Sequence, residues 1–107
     1  MGLVCVNNEN PSNLSRAKAY LKHYESFDKD IIYLDSAKVF LEKCSIEESL
    51  PSYIQYYYLK KEYKRLIEYI ESNNIDDYYK SFNINDIAYS YFRIGEAYAK
   101  YNFNINS

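Results

Sequence analysis

Apolar and polar positions recur at helical period along most of this chain, most densely over Ser49–Ile70, SLPSYIQYYYLKKEYKRLIEYI. Tyr53, Tyr56/Tyr57 and Lys60 share one side of a helix there, while Tyr63, Leu66/Ile67 and Ile70 form a second apolar stripe. Lys60-Lys61-Glu62 interrupts the two stripes. Two short helices joined by a tight turn fit this pattern. A single unbroken helix fits nearly as well, because neither Gly nor Pro stands at the interruption. In either case the segment cannot bury its aromatic faces alone.

The flanking sequence extends the helical pattern. Ser12 or Asn13 is placed to cap a first helix, Leu14 to about Phe27, with Leu14, Ala17, Leu21 and Tyr24 on one stripe. Asp28 or Asp30 caps a second, Ile31–Cys44, whose inward positions are Ile31, Leu34, Ala37, Phe40, Leu41 and Cys44. The short link between them predicts antiparallel packing. Ser45-Ile46-Glu47-Glu48 has capping-box spacing, and Pro51 is best accommodated in a first turn, so a third helix is expected from Ser49 or Leu50. After turn residues at Ser72-Asn73-Asn74, the segment Ile75–Ile84 is ambiguous. Asn85 is the expected cap of a last helix, Asp86 to about Tyr101, with Ala88, Tyr91, Ile94/Gly95 and Tyr98 facing inward. Residues 1–11 read as irregular and 102–107 as a frayed tail. No stretch has the period-2 alternation of a strand. The expected fold is all-α: about five helices forming a single domain over residues 12–101.

Composition narrows the function classes. The chain has 107 residues, one domain's length, with 48% hydrophobic and 26% charged residues. Its 15 Tyr, without any Trp, stand out, although an AT-rich coding sequence would also enrich Tyr, Asn, Ile and Lys. A net charge of −2 and a pI near 5.4 argue against binding nucleic acid by phosphate neutralisation. No apolar run approaches the roughly 20 residues that cross a bilayer. Leu3-Val4-Cys5-Val6 is too short for a signal h-region, and Val6 replaces the Ser or Thr of a myristoylation start. Cys5 and Cys44 make no disulfide framework, so a cytoplasmic setting is expected.

Tyr91-Phe92-Arg93-Ile94-Gly95-Glu96-Ala97-Tyr98 follows the order aromatic, two residues, aliphatic-Gly, two residues, Tyr. It resembles the first helix of a tetratricopeptide repeat, in which a small Gly95 would admit a neighbouring helix. Tyr57, Tyr63, Leu66 and Ile70 resemble the end of one such helix and most of the next, with Leu66 where the repeat prefers Ala and Lys61 where it prefers Gly. Tyr56 to Tyr98 as a whole is similar in order and spacing to a repeat pair of Rap-type peptide-sensing regulators. That resemblance implies a helical-hairpin scaffold that binds short peptides. It places no peptide-contacting residue by motif, and no DNA-binding helix-turn-helix precedes the hairpins.

Two constellations carry candidate chemistry. Arg16 and His23 have the R-x6-H spacing of HEPN-type ribonucleases, in which His acts as general acid/base and Arg stabilises phosphate charge. His23, the single histidine, reads more simply as a solvated helix residue, and with Glu25, Asp28 and Asp30 it makes no coherent metal set. The tyrosines are the other set. Tyr20, Tyr24, Tyr53, Tyr57, Tyr91 and Tyr98 have core-like spacing. The remainder exceed what so small a core can bury, and exposed Tyr is enriched at binding surfaces. Tyr56, Lys60, Tyr89 and Arg93 are the expected anchors, since each falls off the core stripe of its helix beside a large aromatic. The expected function is therefore non-catalytic binding of a protein or peptide, with neither cofactor nor metal, no nucleic acid and no membrane, and self-association open. An inhibitor or immunity-type protein and the metal-independent ribonuclease are the alternatives.

Overall fold

A computed structural model describes residues 12–106, which form five α-helices and one 3-10 segment, with no strand among the described residues. The expectations at Met1-Gly2, Cys5 and Val6 lie outside that range. The chain divides into two compact units, the first ending at Cys44 and the second beginning at Ser45.

The first unit is a helical hairpin of α1 (Asn13–Ser26) and α2 (Ile31–Leu41). Ser12 Oγ accepts from the Ser15 amide at 3.1 Å and Asp30 Oδ1 from the Ile32 amide at 3.1 Å, so each helix begins on a side-chain cap. Ala17, Leu21, Leu34, Ala37 and Leu41 are buried. Tyr20 stacks on Phe40 with ring centroids 5.9 Å apart and so ties the two helices together. Helix α2 ends before Cys44, because Lys43 and Cys44 donate their amides to Phe40 and Leu41 and tighten the last turn. Ile31, expected inside, is exposed.

The second unit comprises α3 (Ile46–Leu59), α4 (Tyr63–Ser72), the 3-10 segment Ile75–Ser81 and α5 (Ile84–Asn106). Helix α3 starts at Ile46, earlier than Pro51 suggested. Glu48 Oε2 accepts from both the amide and the hydroxyl of Ser45, at 3.3 and 3.1 Å, and this capping box holds the first turn. Pro51 therefore sits inside the helix, where it is buried and has no amide to donate to the Glu47 carbonyl.

The break after Leu59 settles the two readings of Ser49–Ile70 in favour of two helices. Lys61 adopts φ 62°, the Glu62 amide donates to Tyr57 O at 3.0 Å and the Lys61 amide to Tyr58 O at 3.0 Å. This is a Schellman ending with lysine where glycine is usual. It turns α4 back so that Leu66 packs with Leu50, Ile54, Ile75 and Ala97 in the core, flanked by Tyr57, Tyr58, Tyr63 and Tyr69.

Asn83 Oδ1, rather than Asn85, caps α5 by accepting from the Asp86 amide at 2.9 Å, and the helix runs to Asn106, past Tyr101 and through most of the stretch expected to fray. Its buried line is Ile87, Ser90 and Ala97, with Ile94 half-buried. The neighbouring line expected inside, Ala88, Tyr91, Gly95 and Tyr98, faces outward. A Cβ on Gly95 would meet nothing within 4 Å, so Gly95 does not mediate the helix approach that the repeat resemblance implied. Small Ser90 and Ala97 set the inward face instead, while on the outward line the Tyr91 hydroxyl donates to Asp76 Oδ1 of the 3-10 segment. No helix among the described residues is long and apolar enough to cross a membrane.

Candidate binding surface

Arg93 and Tyr89, two of the four expected anchors, come together where α3 meets α5. The Arg93 guanidinium lies 4.3 Å from the Tyr58 ring, 5.1 Å from Tyr89 and 5.3 Å from Phe92, and its Nη1 donates to Glu96 Oε1 at 2.6 Å. Its side chain is only 18% exposed. Burial opposes the charge, but the hydrogen bond and field of Tyr89, then Glu96, outweigh it and hold the guanidinium above its ordinary value. Burial and then the neighbouring Glu96 carboxylate push the Tyr58 hydroxyl up as well. Arg93 is thus a charged pin inside an aromatic collar, and Phe92, 59% exposed, is the collar's outer wall.

Tyr56 and Lys60 form a separate pair. Lys60 Nζ donates to the Tyr56 hydroxyl at 3.3 Å, lies 5.6 Å from the Tyr56 ring centroid and stands 3.8 Å from Glu62 Oε2. Tyr56 is 1% exposed, which corrects its assignment as a surface anchor. The reason lies in the register of α3. Ser49, Ser52 and Tyr56 fall at i, i+3 and i+7, all three are buried, and the two small serines open a second buried face that an apolar-stripe reading counts as solvent.

The α3–α4 hairpin also gathers a tyrosine cluster. The Tyr69 ring lies 5.2 Å from Tyr53 and 5.7 Å from Tyr57, and Tyr53 and Tyr57 stack at 5.9 Å. Burial, then the hydroxyls of Tyr53, Tyr57 and Tyr78, push the Tyr69 hydroxyl far above its ordinary range. Beside this cluster is a shallow hollow of about 360 Å³ lined by Tyr57, Arg65, Glu68, Tyr69, Ser72 and Asn73. Between α4 and α5 runs a second groove, about 280 Å³, with Ile67, Tyr98 and Tyr101 along its wall and Lys64, Glu68 and Glu71 at its rim.

The exposed face of α5 was not legible from spacing. Ile84 is 68% exposed, Tyr91 46%, Phe92 59% and Tyr98 38%. Among the described exposed residues of α5, Lys100 alone is charged. The signal that could have found it is the absence of charge from Ala88, Tyr91, Phe92, Gly95, Tyr98 and Ala99, a set too apolar for a solvated face and too broad for one core stripe.

The candidate ribonuclease pair lies on α1. The His23 ring is 4.3 Å from Tyr33 and 5.5 Å from Phe27, and the Arg16 guanidinium is 5.6 Å from the Phe40 ring. Asp28 and Asp30 accept backbone amides as turn and cap residues. No group of three metal-ligating side chains occurs among the described residues. Cys44 is half-buried, with Sγ 3.4 Å from Phe40 O. No family model, curated protein or solved structure matches this chain.

Proposed function

We propose that this chain is a non-catalytic helical module of the cytoplasm that binds a protein or peptide segment. The outward face of α5, nearly free of charge and with Ile84, Tyr91, Phe92 and Tyr98 exposed on a helix whose Arg93 is pinned beneath, supports this reading most directly. In a chain with 26% charged residues, a helical face this poor in charge is what partner recognition would use, and Tyr and Phe supply contact area at low entropic cost. The Arg93 collar fixes the aromatic groups before a partner arrives, which lowers the ordering cost of association. The ribonuclease alternative has less behind it, because the His23 ring packs between aromatic neighbours and the Arg16 guanidinium lies over Phe40.

Panning a displayed random-peptide library against the immobilised full chain tests the proposal. Enrichment of a sequence class that competes with itself in solution is the expected result, with single-stranded RNA left intact by the same preparation. Metal-independent RNA cleavage that His23→Ala abolishes would replace the binding reading with the catalytic one.

A further inference from the structure

The groove between α4 and α5 differs from the α5 face in one respect: it is apolar inside and acidic at its edge. Ile67 is nearly buried at its base, and Tyr98 and Tyr101 form the α5 side. Glu68 and Glu71 stand at i, i+3 on α4, both exposed, and neither carboxylate has a hydrogen bond or ion pair with a described residue. Among the described residues of the same rim Lys64 is the one cation, so that rim carries a net negative charge. The volume, about 280 Å³, falls just under the range of about 300–1,000 Å³ in which small-molecule and cofactor pockets lie. A space of this size suits one or two apolar side chains of a longer ligand.

We infer that this groove receives a basic amphipathic segment of a partner, an aliphatic or aromatic side chain entering between Ile67 and Tyr98 while Lys or Arg residues meet Glu68 and Glu71. The argument for that occupant is charge complementarity: two exposed carboxylates against one lysine edge an apolar slot, and their net negative charge repels an acidic or phosphorylated segment while steering a cationic one. Helix-in-groove recognition supplies the geometry, since anchors at i, i+3 or i+4 leave the basic side chains of one peptide turn on the rim. The inference rests on the binding reading and names the ligand class for this part of the surface.

The test uses the full chain and two defined probes: a short fluorescent leucine/lysine amphipathic peptide and its leucine/glutamate counterpart. Fluorescence anisotropy should show the lysine peptide binding and the glutamate peptide not binding. The double variant Glu68→Gln/Glu71→Gln should weaken the lysine peptide by about three- to ten-fold, the contribution of two exposed ion pairs, and flatten its salt dependence. Asp35→Asn/Glu42→Gln, which removes the same charge from α2 and its C-cap in the other unit, should leave binding unchanged. Equal loss in both double variants would reduce the effect to bulk charge and overturn the inference. So would equal binding of the two peptides, or no binding of either. If Glu68→Gln/Glu71→Gln is silent while Tyr91→Ala/Phe92→Ala abolishes capture of a library-selected peptide, the groove falls and the binding reading stands.

Discussion

Lys61 and Gly95 exchange the roles that the sequence suggests for them. The chain needs a left-handed residue where α3 ends and uses Lys61, at φ 62°, whereas its helical Gly95 stands where any side chain would fit. Lys61→Gly should therefore stabilise the protein by about 0.5–1 kcal/mol, the left-handed penalty removed less the entropy glycine adds. Gly95→Ala should also stabilise, by about 1 kcal/mol, since alanine restores helix propensity without meeting a neighbour. Urea midpoints for both variants check this, and a loss of stability in Gly95→Ala would mean that a helix does lie against that position. Tyr56 belongs with the core, and Tyr56→Ala should cost about 3 kcal/mol in the same measurement, whatever it does to binding. Period alone could not separate Tyr56 from its neighbours, because every residue from Tyr56 to Tyr58 is a tyrosine and the small serines that bury it carry no hydrophobic signal.

At the level of the elements, helices were legible wherever a cap coincided with an apolar stripe. Ser12, Asp30 and the Ser45–Glu48 box each open a helix, and the first two helices lie within a few residues of their expected bounds. The start of α3 lies upstream of the position that Pro51 suggests because the Ser45–Glu48 capping box holds the first turn. Ser45→Ala should accordingly lower stability by about 1 kcal/mol. The inward face of α5 is not the one that side-chain size suggests, because its outward line carries the larger side chains and its inward line includes Ser90 and Ala97. The tyrosine cluster of the α3–α4 hairpin yields a pH signature. Tyr69 stays neutral in the folded state to higher pH than in the unfolded chain, so stability is complete below the ordinary tyrosine value near 10 and falls as pH rises through it. Urea midpoints measured from about pH 9 to about pH 11.5 should decline for the native protein and decline less steeply for Tyr69→Phe. Identical slopes would show that Tyr69 ionises alike in both states.

Taken whole, the molecule combines an ordinary acidic surface with a helix whose outward side is nearly free of charge. Composition and periodicity sufficed for an all-α fold. They missed the α5 face because recognition here depends on which of two adjacent stripes turns inward, a choice made by the packing of α3 and α4 against Ser90, Ile94 and Ala97 rather than by the α5 sequence. Binding on that face is the central claim, and titration calorimetry with a library-selected peptide tests it most directly. Tyr91→Ala/Phe92→Ala should bind at least about ten-fold more weakly than the native protein, as expected on removing two aromatic contacts, and should melt a few degrees lower, because the Tyr91 bond to Asp76 and the Phe92 contact with Arg93 are lost. Equal affinity in the two proteins would contradict the account.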